Sequence, residues 1–462
     1  MRLPTALPHR ARREPLRPRS AVGTASDGPT AYPMRQRALA DGTSAIALTL
    51  SMALAWAVVQ LAAGLSALTL GALAGSGGAA GVGLALALVA GAVSAALVEP
   101  LSRRIGRVPG ISLGFALCAG ASVLLFVAAS IRSTTLYLAG LVLLGAGLGT
   151  VGLLRGSLPD LVPSARRGTA VARLLLGAAA GSIVAPFLFA PLLSRRAADP
   201  STLAAPWLLA AALMAVGAGV VWAVRQEALD AQWPDPLEAD TRLVRSPGAT
   251  AADGALDGVV LAEPFRLTAV PGLFASSDAR AALVALVAAQ VALVGLLVSI
   301  GPWLRQAGHD LGSISLAVAV LFTGMFSLAP LVGRSVDRIG RRRGLLVGLA
   351  AMAAGALALA IGPTLGTVLP ALFGLGLGWC LASVAGSTLL ADASRAHERS
   401  RALAAAGITA LVAAAGAALV GALLVTGAGM LPLAILMSAA TLAPAGLMVR
   451  PPAARRDSAR PA

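Results

Sequence analysis

A chain of 462 residues that is 57% hydrophobic, only 12% charged and has a mean hydropathy of +0.83 cannot present an ordinary water-exposed surface. Its apolar residues suffice for roughly a dozen membrane-spanning helices of about 20 residues each. The net charge of +16 comes from 36 basic residues, all arginine, which punctuate apolar runs instead of clustering with aromatic and polar residues, so it does not point to nucleic acid.

Residues 1–43 are rich in arginine and proline, have no apolar run of their own and lack the pattern of a signal peptide. They are expected to form a disordered cytoplasmic tail, with Met34 an alternative translation start. After Asp41 the charge-free stretches measure the spans directly: 42–98, 108–131, 133–154, 174–194, 200–224, 281–304, 311–333, 344–391 and 402–449. Six of these are 21 to 25 residues long and fit one span each. The other three, 48 to 57 residues, carry glycine or proline near the middle (Gly75 to Gly83, Gly362-Pro363, Gly427 to Pro432) and divide in two. Twelve spans result.

Between the sixth and seventh spans, residues 225–280 hold five arginines and nine acids and read as a cytoplasmic linker, with room for a short interfacial helix over 265–274. The expected organisation is therefore an all-α integral membrane protein with six-helix bundles at 44–224 and 281–449 and a cytoplasmic tail at 450–462. An even number of spans puts both termini on one side, where 32 of the 36 arginines fall; Arg132, Arg195, Arg196 and Arg305 fall on the other. Short cytoplasmic loops carry the positive excess, so both ends are expected in the cytoplasm.

The two halves repeat. Arg104-Ile105-Gly106-Arg107 recurs as Arg338-Ile339-Gly340-Arg341, Gly145-x-Gly147-x-Gly149 as Gly374-x-Gly376-x-Gly378, Arg167 as Arg399 and Gln60 as Gln290, all at offsets of 229 to 234 residues. Two repeats with a cavity at their interface make an alternating-access architecture. Here the chain resembles the major facilitator superfamily across residues 43–449. Gly333-Arg334-Ser335-Val336-Asp337-Arg338-Ile339-Gly340-Arg341-Arg342 matches in full that family's G-x-x-x-D-[RK]-x-G-[RK]-[RK] signature between its eighth and ninth helices. The first-half copy departs from it, with Glu99 for the glycine and Arg103 for the aspartate. Pro159-Asp160 with Arg166-Arg167-Gly168, and later Asp392 with Arg399, resemble a further family element.

In the signature, glycines suit a tight turn and arginines an anionic lipid surface. The arginines read equally as topology anchors. Asp337 among five of them reads as a state-dependent latch, because an acid adds nothing to positive-inside anchoring. Arg104, Gly106 and Arg107 are its first-half counterparts.

Polar residues deep in a span are costly and usually face the bundle interior. Gln60 and Gln290, mid-span and related by the repeat, are candidates for lining the cavity, with interhelical packing as the other reading. Trp56, one turn before Gln60, and Trp379 offer an aromatic wall for an amphipathic ligand, or plain packing. Ser383 and Ser387 follow, with Thr323 and Ser327 behind them.

No acid occupies a span centre. Glu99, at the end of the second span, is nearest to a coupling group and is placed to pair with Arg103 or Arg104. Arg155 fits the last turn of the fourth span. The family's drug/proton antiporters usually carry an arginine where this chain has Leu141. In the fifth span Gly177, Gly181 and Ala185-Pro186 resemble the family exporters' glycine-proline element, whose last paired glycine is replaced by Phe189-Ala190; the same spacing is also common packing material.

Cys118 and Cys380 lie in apolar segments and suggest no disulfide, and His9, His309 and His397 have no metal-ligand spacing. A chain without lysine has no Walker phosphate loop, and no catalytic dyad or cofactor motif stands out, so an enzyme is not expected. The expectation is a monomeric secondary transporter in a bacterial plasma membrane, exporting a small amphipathic or hydrophobic compound at the expense of a proton gradient. An uptake carrier or facilitator for a neutral metabolite, and a non-transporting sensor or scaffold, are the alternatives.

Overall fold

The computed structural model describes residues 31–75, 79–105, 107–152, 167–192, 200–223, 276–394 and 398–446. These residues form thirteen α-helices: α1 (Ala31–Ala74), α2 (Ala79–Ile105), α3 (Arg107–Ser130), α4 (Thr134–Val151), α5 (Arg167–Phe189), α6 (Ala205–Trp222), α7 (Ser277–Gln306), α8 (Leu311–Phe326), α9 (Ala329–Ile339), α10 (Arg341–Leu359), α11 (Leu365–Ala393), α12 (Arg399–Gly427) and α13 (Met430–Leu442). Two 3-10 turns, Ala190–Leu192 and Pro200–Leu203, precede α6. Within hydrocarbon only helices can satisfy every backbone group of a single segment, and the described residues are almost wholly helical.

Each charge-free stretch is occupied by helix, and the three long ones are divided where glycine or proline had marked a turn. Among the described residues nine helices are long and apolar enough to cross a membrane, and a tenth counts if α8 and α9 form one bent span. Arg173–Phe189 within α5, and α13, are shorter apolar helices. The chain is a multi-pass membrane protein. Several helix starts are capped by the residue the sequence supplies: the side chains of Ser133, Ser276 and Asp310 accept from the backbone N–H groups of Leu136, Ala279 and Ser313.

Three features differ from the sequence reading. Helix α1 begins at Ala31 and so extends back into the segment read as tail; Pro33 falls in its first turn, where a missing N–H forfeits no helical bond. The charge-free stretch 311–333, read as one span, is not one helix but α8 and the start of α9, bent by 44°. Pro330 explains the break, since its ring opposes the carbonyl four residues earlier, on Phe326, the last residue of α8. The third concerns the repeat.

A Cβ on Gly145 or Gly149 would strike the backbone of Ala87 or Gly91 on α2, while one on Gly147 would meet Cys118 Sγ on α3 at 2.6 Å. In the second half a Cβ on Gly376 would strike the Leu321 carbonyl of α8, and one on Gly378 would lie 2.7 Å from the Met352 nitrogen of α10. Helix α4 is thus wedged between α2 and α3 as α11 is between α8 and α10. Matched by what each glycine touches, Gly145 pairs with Gly376 and Gly147 with Gly378, an offset of 231 where the bare string gave 229. Gly374, the first glycine of the second string, faces open space.

The first six helices meet the last seven mainly at the end remote from the Ile339–Arg341 turn. There Gly81 of α2 abuts Ala418 and Ala422 of α12, and Gly64 of α1 faces Gly301 of α7. Ala67, Ala85, Val294, Val298, Ala414 and Ala415 are buried in the same contact. A second contact joins α5, and beside it α1, to α8.

Candidate functional site

Four aromatic rings gather where the two sets of helices meet. Trp56 of α1 stands edge-on to Phe322 and Phe326 of α8, with ring centroids 5.4 and 4.5 Å apart, and Phe326 lies 6.4 Å from Trp379 of α11. Interplanar angles of 65° to 82° place them in the edge-to-face geometry that the ring quadrupole favours. Trp379 Nε1 donates to Gln290 Oε1 of α7 at 3.1 Å. The indole is thereby fixed by a side chain from a neighbouring helix, and both tryptophans and Gln290 remain half-buried while the two phenylalanines are closed off. Four helices, one from the first set and three from the second, thus contribute to an aromatic wall with one amide.

Gln60, one turn beyond Trp56, goes elsewhere. It is 2% exposed, and its Nε2 donates to the backbone carbonyl of Ser315 on α8 at 3.2 Å. Its Oε1 is buried without a partner. The carboxamide borders a cavity of about 20 Å³ walled by α1, α5 and α8, large enough for one water molecule and far below the several hundred Å³ of a ligand pocket. The two glutamines that the repeat relates therefore share no partner and differ in exposure.

The other candidates divide as follows. Ser383 and Ser387 lie on α11 beyond Trp379, half-buried, and Ser387 donates back to the Val384 carbonyl of its own helix at 3.2 Å. Thr323 likewise bonds the Ala319 carbonyl, and Ser327 caps α8. Phe322 and Phe326 were missed by the sequence reading; their signal was a four-residue spacing of aromatics on one face in a chain only 4% aromatic.

The signature is more helical than a loop. Gly333, Arg334, Asp337 and Arg338 lie within α9, Arg341 and Arg342 open α10, and Gly340 alone turns the chain, at φ +87°. Gly333 has open space around it, so the turn required one glycine and not two. Asp337 is exposed, and an ion pair in this region joins Arg341 to Asp392 at the end of α11. Each partner sits at the helix end its charge does not suit, a cation at an N-terminus and an anion near a C-terminus, so the pair compensates two unfavourable dipole placements.

Of the first-half counterparts, Glu99 and Arg104 lie in α2 and Arg107 opens α3, while Gly106 is outside the described residues, as are Arg155, Pro159, Asp160 and most of the 225–280 segment. Leu141 packs toward Gly83 of α2, whose Cβ it would meet at 2.6 Å. Gly177 and Gly181 bring α5 against Thr49 and Ala53 of α1, which is the packing role of that spacing.

Residues 280–462 match the Major Facilitator Superfamily model. Two uncharacterized MFS-type transporters of Bacillus subtilis (strain 168) are similar over most of their length: YddS, 27% identical over 71% of this chain and 72% of its own, and YdeG, 29% identical over 77% and 80%. The second half of the chain thus matches the major facilitator model, and most of the chain is similar to transporters of that type. The solved structures agree in fold: a partially occluded inward open conformation of the xylose transporter XylE from E. coli superimposes with a TM-score of 0.62 at 12% identity, covering 89% of this chain and 95% of that one. The nucleoside transporter NupG gives 0.62 at 12% over 89% and 100%, and the human organic anion transporter MFSD10 0.58 at 17% over 88% and 99%. At these identities the likeness speaks for the major facilitator fold and not for a substrate.

Proposed function

We propose that this chain is a secondary transporter that works by alternating access and exports a small amphipathic or hydrophobic compound, driven by a proton gradient. The observation that carries the reading is the Trp56, Phe322, Phe326 and Trp379 wall with its Gln290 amide, shared between the two sets of helices and without a charged side chain. An importer of charged nutrients would need a buried cation at this depth. Edge-to-face rings with one amide suit a flat apolar ligand carrying a hydrogen-bonding group. The small volume beside Gln60 means that a substrate-sized space requires the halves to move apart, as alternating access demands.

The same reading has twelve crossings, bundles at 44–224 and 281–449, both termini and the 225–280 linker in the cytoplasm, a monomer in the plasma membrane, and Asp337 as a latch engaged in another conformation. A facilitator for a neutral metabolite is the second reading, favoured by the charge-free span centres. Accumulation of fluorescent amphipathic compounds in a pump-deficient bacterium separates them. Wild type should lower accumulation relative to empty vector, with the effect lost on collapsing the proton gradient and weakened in Asp337→Asn. Raised accumulation would reverse the direction, and gradient-independent equilibration would identify the facilitator.

A further inference from the structure

Gln60 is the residue whose surroundings least fit a ligand-binding role. A cavity-lining amide should keep its polar end open to the translocation path, yet this one is 2% exposed and spends its donor on a backbone carbonyl of the opposite half. Ser315 lies in the second turn of α8, at the end remote from the arginine-rich turn, so the bond crosses the interface where the halves already touch. The orientation of the amide is fixed by its partner, because a carbonyl accepts only from the Nε2 edge. That leaves Oε1 facing inward, buried and unpartnered, on a cavity of about 20 Å³. The walls come from both halves: Gly64, Ala185 and Phe189 on one side, Leu311, Ile314 and Ser315 on the other.

We propose that Gln60 is an inter-half latch, assisted by one buried water, that holds the far end closed, and that it does not contact the transported compound. The closed state satisfies the donor through Ser315 O, and the water accounts for the orphaned Oε1, with Ser315 as a second polar wall for it. When the halves part at that end, the carbonyl and the cavity leave together, and solvent entering the opened path takes over both polar atoms. The latch thus contributes to the closed state alone, which is what a ligand-independent bias on the conformational equilibrium requires. The inference rests on the alternating-access reading but not on export or on any substrate.

The test is a distance measurement on the full chain in nanodiscs. Spin labels at Ile131→Cys and Ile361→Cys, exposed positions at the far end of the two halves, report opening in a background with Cys118 and Cys380 replaced by alanine. Gln60→Leu removes the donor at similar volume, and Gln60→Asn keeps an amide that is one carbon too short. Both should raise the open-to-closed ratio by about three- to tenfold, the weight of one hydrogen bond, with no substrate present. Should Gln60→Leu fold poorly, Gln60→Asn alone suffices. Unchanged distance distributions in the well-folded variants overturn the latch, and weakened binding of a transported dye with those distributions unchanged would return Gln60 to the ligand site. Absence of flux for every compound, with the distances shifted as expected, would fail the transport reading and leave the latch standing.

Discussion

One hydrogen bond of 3.1 Å, from Trp379 Nε1 to Gln290 Oε1, decides how an indole is presented at the interface of the halves. Trp379→Phe retains most of the ring and deletes the donor, at an expected cost of about 1 kcal/mol because Gln290 loses its partner. Combining it with Gln290→Leu should recover thermal stability but not transport, a double-mutant cycle that separates packing from recognition. A second expectation concerns Tyr137, whose fully buried hydroxyl lies near Thr69 and the indole of Trp207 without a hydrogen bond of good geometry to either. Tyr137→Phe removes a buried polar atom that gains little, so the thermal midpoint in detergent should stay level or rise; a fall of several degrees would show that the hydroxyl is held by Thr69 and Trp207 after all. The sequence singled out Gln60, Gln290, Trp56 and Trp379 because polar and indole groups are conspicuous in apolar spans. It could not say whom they meet, since the partner of Gln60 is a backbone carbonyl, which leaves no mark in a sequence. Phe322 and Phe326 were hidden for another reason: where lipid covers the outside, apolar residues occur all round a helix, and periodicity no longer tells inside from outside.

At the scale of helices, charge and glycine carried most of what could be read. Each of the nine stretches free of charge is occupied by helix, because a charge is expensive in hydrocarbon and its absence is therefore a length measurement. The break between α8 and α9 was present in Pro330 but masked by an uninterrupted apolar run. The glycine strings showed that the halves repeat without showing the register, which depends on which flank of α4 or α11 each glycine turns toward a neighbour. That register has a direct consequence. Gly149→Leu would drive a side chain into the backbone of Gly91 and should cost about 1–3 kcal/mol or prevent membrane insertion of a stable protein, measured as the yield of monodisperse protein after extraction. Gly374→Ala, at an open position in the matching string, should be neutral or slightly stabilising through its better helix propensity. Equal damage at both sites would refute the offset of 231 and restore the simple string alignment.

The whole molecule adds what neither residues nor helices contain, a closed end and the prospect of opening it. Helices α2 and α12 approach through small side chains, and a Cβ built on Gly81 would lie 2.9 Å from the Cβ of Ala422. A disulfide needs roughly 3.5–4.5 Å between those atoms, so the double variant Gly81→Cys, Ala422→Cys requires the helices to yield by about 1 Å and no more. Both native cysteines are buried, which leaves the introduced pair as the reactive one. Under oxidant the pair should cross-link the halves in the closed state and abolish accumulation changes in cells, and a reductant should restore them. Reversal is the decisive comparison, because Gly81→Cys alone already crowds the Ala418 backbone and can slow transport by distortion that no reductant would relieve. If the cross-linked protein still moved its substrate at the full rate, separation of α2 from α12 would be no part of the cycle, and the compound would have to travel without the halves ever parting at that end.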